Sequence, residues 1–456
     1  MDEAGDNDSI YINNIHISGN QLTKRKIIMR EIMFSEGDSL MSRELSVLME
    51  KSRQNLLNLS LFNYVRYSID SVYPGRKIVD IAYTVEERWY IWPIPIFEHA
   101  DRNFSNFIRE ADLARINYGM FIDHNNFRGR NIALNLKARL GYKEQYALSI
   151  QQPNIGKNQR LKFMADFNLF RRHELAYKTK KNEPAYYKSF GRYHWNAFRS
   201  TLGLDFRPQF YNHQQFILGY HNINISDTIA MLNPNYLGNG KEFQQYLLFN
   251  YRFIRDRRNS NYYPLTGYLF ELSATKEGLN LLETENYSNF TVNNTISYHN
   301  RLKGKWYYST GIKWKHSMNM EIPYNQKAAL GYGLMIHGYE YYVIDGPAYF
   351  VSKNNLKYEL LPKKVTTINL IPLEKFNKIH YSIYSNLFFD LAYVHDPFQE
   401  INTNSLVNKW LYSVSVGFDL VTYYDRAFRL EYSINAEGNH GIFLHLDAAI
   451  LKTGKH

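Results

Sequence analysis

The chain has no cysteine, which removes disulfide frameworks, thiolate metal sites and cysteine nucleophiles together. It has no uninterrupted apolar run of the length a membrane helix needs, so no spanning helix is predicted. A G-x-S-x-G elbow, an H-E-x-x-H pair and a phosphate-cradling glycine loop are all missing. The 15 histidines show no paired ligand spacing beside carboxylates. No enzyme, no metal site and no cofactor are therefore expected. The net charge of +11 raises nucleic acid as a partner, but the lysines and arginines are scattered along alternating segments rather than gathered in a tract. A polar barrel lumen or an anionic lipid surface fits that scatter better, and no nucleic-acid partner is expected. Met1 is followed by Asp2, Glu3 and Asp6, which is no signal peptide; in an outer-membrane protein the leader would already be gone from this numbering.

What the chain does have is aromatic residues, 39 Tyr and 28 Phe, at a mean hydropathy of only −0.47. That combination suits a transmembrane β-barrel, where lipid-facing and lumen-facing residues alternate and aromatic girdles mark both interfaces. A soluble all-β protein is the alternative. Beyond Glu87 the pattern has period two: Tyr412, Val414, Val416, Phe418 and Leu420 alternate with Leu411, Ser413, Ser415, Gly417 and Asp419. Phe428, Leu430, Tyr432 and Ile434 alternate with Arg429, Glu431, Ser433 and Asn435. One apolar face and one polar face exclude a strand buried on both sides. About sixteen such segments are counted, an even number as bacterial barrels require, with starts near residues 90, 115, 129, 144, 160, 191, 213, 242, 267, 287, 304, 352, 380, 410, 426 and 441. Pro93 and Pro95 lie in the first segment and cannot donate to a ladder. They predict a soft seam where that strand meets the last one, at Leu444 and Leu446. The polar connections 175–189, 224–241 and 396–409 read as solvated extracellular loops, with contact of their lysines to anionic lipopolysaccharide as the alternative.

Ahead of the barrel, residues 1–9 form an acidic stub expected to be disordered. Residues 10–88 read as strand, helix, helix, strand, strand. The first strand has a phase break at Asn13–Asn14, a helix is capped by Thr23, and a second helix starts at Ser42, with Leu45, Leu48, Met49 and Leu56 on one face. This is a small α+β domain with one core. Four tripeptides led by Asp8, Asp38, Asp70 and Asp227 match an O-glycosylation pattern that chance explains equally well.

The most unusual stretch is Gly331 to Phe350. It is too glycine-rich and too irregular for a strand, and too aromatic for a solvated loop, so it is expected to fold back and pack.

In this order the chain resembles the POTRA-plus-barrel superfamily of Gram-negative outer membranes, the group of BamA, TamA and the two-partner-secretion transporters. Ile15-His16-Ile17-Ser18-Gly19-Asn20, Arg30-Glu31, Gly37-Asp38 and Leu61-Phe62 match the sites of one POTRA module. Asp256-Arg257 with Tyr263-Pro264 and Gly267 resembles a barrel motif, and Phe388, Asp390 and Ala392 fall on strand thirteen. The resemblance implies an α+β POTRA domain in the periplasm (10–88) and a 16-stranded antiparallel transmembrane β-barrel (89–456). It also implies a plug loop at about 318–350 that folds into the lumen, with Ile336, His337, Gly338, Tyr339, Glu340, Asp345 and Gly346 as its motif and Phe388 and Asp390 as partners on the wall. His337 stands where the family has an arginine, which predicts a weaker, pH-sensitive contact to Asp390, with Tyr339 and Tyr341 bracing it. A neutral histidine bonded to backbone is the alternative.

The final strand also departs from the family in lacking a terminal aromatic, and the tail Lys452 to His456 follows it. The function implied is insertion or translocation of polypeptides at the outer membrane. Membrane lipids, lipopolysaccharide, client chains and periplasmic or lipoprotein partners are the implied contacts, with the oligomeric state open. A non-catalytic, partner-docking subunit and a passive pore are the alternatives.

Overall fold

The computed structural model describes residues 9–73, 77–99, 116–155, 160–189, 191–367, 378–399, 403–422, 426–445 and 451. The expectations for the leading stub up to Asp8, for the seam position Leu446 and for the tail 452–456 lie outside them.

In the N-terminal domain β1 (Ser9–Ser18), α1 (Arg25–Met29), β2 (Ser39–Met41), α2 (Ser42–Asn58), β3 (Phe62–Tyr73) and β4 (Ile78–Glu87) follow in order. The sheet runs β2-β1-β4-β3, with β1 parallel to β4. Ile12, Ile15, Ile27, Ile28, Leu45, Met49, Leu56, Ile81 and Tyr83 form one buried core between helices and sheet. The phase break in β1 is a register shift between Ile12 and Asn14, where Asp80 accepts hydrogen bonds from the Asn13 side chain at 2.9 Å and the Asn14 amide at 3.0 Å. Two details differ from the sequence reading. Thr23 caps nothing: α1 begins after Lys24, and the Thr23 hydroxyl instead meets Tyr90 and Asn126. The short β2 is too brief to leave a periodic trace.

The remainder is β5 (Ile91–His99), β6 (Ile116–Phe127), β7 (Ile132–Gly141), β8 (Lys143–Ile155), β9 (Leu161–Arg172), β10 (Glu174–Lys180), β11 (Glu183–Lys188), β12 (Trp195–Gln209), β13 (Asn212–Ile225), α3 (Asp227–Leu232), β14 (Phe243–Asp256), β15 (Gly267–Glu277), β16 (Asn289–Arg301), β17 (Trp306–Ser317), β18 (Ala328–Leu330), β19 (Ile344–Asp345), β20 (Ala348–Thr367), β21 (Lys378–His395), β22 (Trp410–Thr422), β23 (Arg426–Asn435) and β24 (His440–His445). Sixteen of these strands pair antiparallel in one sheet from β5 to β24; β10–β11 and β18–β19 are separate hairpins. Each of the sixteen begins within four residues of its predicted start.

The sheet curls on itself, since the Tyr263 hydroxyl, beyond β14, donates to Asp419 on β22 at 2.8 Å. Its faces are inverted relative to a soluble protein. On β22 and β23, Tyr412, Val414, Val416, Phe418, Leu430 and Ile434 are about half exposed, while Ser413, Asp419, Arg429, Glu431 and Ser433 are buried. An apolar outside around a polar inside is the solution for a wall facing lipid, and it disposes of the soluble alternative.

The three connections expected to be solvated loops are packed instead. Leu175, Trp195, Ile229, Tyr236 and Leu237 share a buried cluster, and Leu406 and Val407 join another. Isolated apolar residues within polar runs carry too little periodicity to be seen in the sequence, yet they suffice to fold the β10–β11 hairpin and α3 against their neighbours.

Candidate functional site: the inward loop and the strand seam

The segment between β17 and β20 doubles back on itself through the β18–β19 hairpin, with Leu330 opposite Ile344. Gly331 makes this turn possible: its φ is +86°, and a Cβ there would stand 2.0 Å from the Tyr342 carbonyl oxygen, so no other residue fits. At the far end a Cβ on Gly346 would lie 2.6 Å from Val394 on β21, so the glycine lets the loop backbone rest on the wall. Ile336, Tyr339 and Ile344 then pack with Val351, Ala392, Val394, Leu406 and Leu411. That apolar half anchors the loop to β20, β21 and β22.

The polar half meets the lumen. Asp390, fully buried on β21, accepts from the His337 amide at 3.1 Å, and its carboxylate lies 2.8 Å from His337 Nδ1. The other ring nitrogen, Nε2, is 3.3 Å from Glu431 on β23, and Lys353 Nζ is 3.6 Å from Asp390. The imidazole stacks 4.5 Å from the Phe388 ring, whose other neighbour is the Arg429 guanidinium at 4.3 Å. Arg429 in turn forks onto Asp419 at 2.7 and 3.0 Å. Asn435 donates to the Gly338 carbonyl at 2.6 Å.

The structure thus brings Ile336, His337, Gly338, Tyr339, Phe388 and Asp390 together. It places Asp345 elsewhere: that carboxylate accepts from Thr179 in the β10–β11 hairpin and from Tyr332 at 2.7 Å. Tyr341 is no brace for His337; it is exposed and touches Phe443 on β24, ring to ring at 5.4 Å.

At the seam, the Asn125 amide donates to the Tyr90 carbonyl and β5 pairs with β6 with Ile91 opposite His124. That parity turns the backbone groups of residues 92, 94 and 96 toward β6. Pro93 and Pro95 therefore face the opposite, outer edge, where two donors are missing. On β24, the Asn435–Asn439 hydrogen bond sets the parity that leaves the backbone groups of Ile442 and Leu444 on its own free edge. Among the described residues no ladder joins β5 to β24. Leu444 points outward and is 69 % exposed.

A third contact was not foreseen. Glu31, 3 % exposed at its side chain, pairs with Arg30 and, across to the barrel, with Arg207 on β12 at 3.1 Å. Burial pushes the Glu31 carboxyl up, but the Arg207 and Arg30 guanidiniums outweigh it and hold the group below the usual carboxylate range. Further contacts across the interface include Ser60 to Tyr262 at 2.7 Å, Thr23 to Asn126 at 2.9 Å and the Lys24 amide to the Gly129 carbonyl at 2.9 Å. The only sign of this in the sequence was the Arg30-Glu31 pair, noted as a domain motif without a partner. Residues of the domain, the barrel wall and the loop together line an open cavity of about 2120 Å³.

Comparison with known proteins agrees with this architecture. Residues 10–88 match the family model described as POTRA, surface antigen variable number repeat. No curated protein matches the chain by sequence. Among solved structures, BamA from Haemophilus ducreyi lacking POTRA domains 1–3 is 16 % identical with a TM-score of 0.52, covering 95 % of this chain and 83 % of that one. CdiB from Escherichia coli is 9 % identical with a TM-score of 0.56, covering 96 % and 74 %. CdiB from Acinetobacter baumannii is 11 % identical with a TM-score of 0.51 and the same coverage. By fold, then, the chain is a POTRA domain followed by a sixteen-stranded barrel.

Proposed function

We propose that the protein works in outer-membrane protein assembly or secretion. It receives an extended polypeptide on the POTRA edge and passes it to a barrel whose first and last strands part. The observation that carries this reading is the outer edge of β5, where Pro93 and Pro95 remove two ladder donors opposite the free edge of β24. Such an edge closes weakly and accepts a visiting strand. The POTRA sheet has an open edge of its own: β3 pairs with β4 alone among the described residues, which is the geometry of strand addition. The apolar barrel exterior and the fold shared with BamA and CdiB support an outer-membrane location with the POTRA domain in the periplasm, and lipid and lipopolysaccharide as the surroundings.

A photo-cross-linking residue at the exposed Arg66 on β3 tests the first step, and a disulfide between one cysteine on β5 and one on β24 tests the second. The native chain has no cysteine, so any such bond is the engineered one. Capture of nascent envelope proteins at position 66, with loss of function on locking the seam and recovery on reduction, is expected. Undiminished function in the locked barrel would overturn the seam mechanism.

A second reading, a partner-docking structural subunit, is favoured by one observation. The loop is bound to the wall at His337 and Gly338 and to the β10–β11 hairpin at Asp345, and the POTRA domain is clamped to the barrel at Glu31. Depletion separates the two: loss of many unrelated outer-membrane proteins fits the first, loss of one process fits the second. A passive pore is disfavoured by a loop held against the inner wall at His337 and Gly338.

A further inference from the structure

Three side chains from three elements converge beside the loop. Glu340 comes from the loop, Glu431 from β23 and His445 from β24, and one ligand atom from each lies within 4.8 Å of the others. His445 Nε2 is 3.3 Å from Glu431 and 3.8 Å from Glu340. Four donors placed about 2.0 Å from a tetrahedral ion stand about 3.3 Å apart, so these separations are near those of a bound set. Glu340 is nine-tenths buried at its side chain, and neither of its carboxylate oxygens has a hydrogen-bond partner. Glu431 is fully buried, with its Oε2 likewise lacking one. Buried carboxylate oxygens without a donor are costly, and these face one another and an imidazole.

His337 turns Nε2 toward the same Glu431 carboxylate while Asp390 holds its Nδ1.

We propose that Glu340, Glu431 and His445 form a binding site for a divalent first-row transition ion, of which zinc best fits mixed imidazole and carboxylate donors. The ion neutralises the two buried glutamates and ties the last barrel strand to the inward loop. Histidine spacing along the chain gave no hint, because the three ligands come from three different elements. The site stands whatever the barrel's clients are.

The test uses the full chain, untagged and purified in detergent, stripped with chelator and dialysed against Zn²⁺. Expected are one zinc per chain by elemental analysis and a rise in the temperature at which heat-modifiable gel migration is lost. Both are absent from Glu340→Gln and His445→Gln, and neither is reproduced by Mg²⁺ or Ca²⁺. Equal zinc retention in wild type and both folded variants, no zinc in wild type, or equal binding of Mg²⁺ would each overturn the site. Should a variant fail to reach folded migration, Co²⁺ in wild type decides. A visible absorption band of four-coordinate nitrogen and oxygen ligation is expected, and its absence overturns the proposal.

Discussion

Replacing Glu31 by alanine removes the carboxylate that joins the POTRA domain to the barrel and leaves two guanidiniums, Arg30 and Arg207, facing each other. Both are about one-fifth exposed at their side chains, so solvent only partly compensates them. Breaking a buried pair by removing one partner costs about 3–5 kcal/mol. The remaining cross-domain hydrogen bonds, among them those of Ser60, Thr23 and Lys24, contribute about 1 kcal/mol each, enough to keep a docked population but not to restore it. At about 1.4 kcal/mol per tenfold, the docking equilibrium should fall by about a hundredfold or more.

Hydrogen exchange reads this directly. The Lys24 amide is bonded to the Gly129 carbonyl across the interface, so peptides covering residues 20–30 should exchange correspondingly faster. Peptides from the α2 core, around Leu45 and Leu56, should stay protected. Arg207→Ala should behave alike and the double variant little worse, since the two changes remove one interaction. The exposed pair Lys409–Glu437 is the control: Glu437→Gln should change stability by less than about 1 kcal/mol.

The pH dependence has a definite sign. A carboxyl held low in the docked state contributes fully above its ordinary value of 4.5, and that contribution is lost as pH falls through the docked-state value. Docking should therefore be flat from pH 8 to about 5 and fail only in stronger acid. Unchanged exchange at residues 20–30 in Glu31→Ala, or single variants whose effects simply add, would refute the reasoning.

Asp390→Ala leaves His337 and Lys353 without their shared buried carboxylate; a loss of about 3–5 kcal/mol should appear as a lower unfolding temperature in heat-modifiable migration, and no shift would count against the wall contact as a brace. Gly331→Ala forces a Cβ into the Tyr342 carbonyl and should free the loop from the lumen, seen as larger conductance in planar bilayers than wild type. Pro93→Ala with Pro95→Ala returns two donors to the outer edge of β5 and should strengthen closure by about 1 kcal/mol per bond formed. A β5–β24 cysteine pair should then cross-link more completely, while the rate of any strand-accepting activity falls.

Much of this molecule is written locally. Alternation with period two depends only on the pleat of a strand, so Tyr412 to Leu420 and Phe428 to Ile434 announced both their strands and their lipid face before any partner was known. The glycines around Gly331 likewise marked a chain reversal, because positive φ is a property of one residue. The Arg30-Glu31 dipeptide was legible as a motif, but its barrel partner Arg207 lies 176 residues away, and no local rule reaches that far. The same holds for Pro93 and Pro95, where the sequence excluded two donors but only the register with β6 decided which edge lost them. Packing of Leu406, Val407 and Tyr236 converted expected solvent loops into structure, since single apolar residues become informative only when folding brings their counterparts within contact. Composition and periodicity therefore determined a barrel with a reversing loop. The closing of the sheet alone decided which charges from distant strands would share a buried space, because burial and pairing are properties of neighbours in space rather than in sequence.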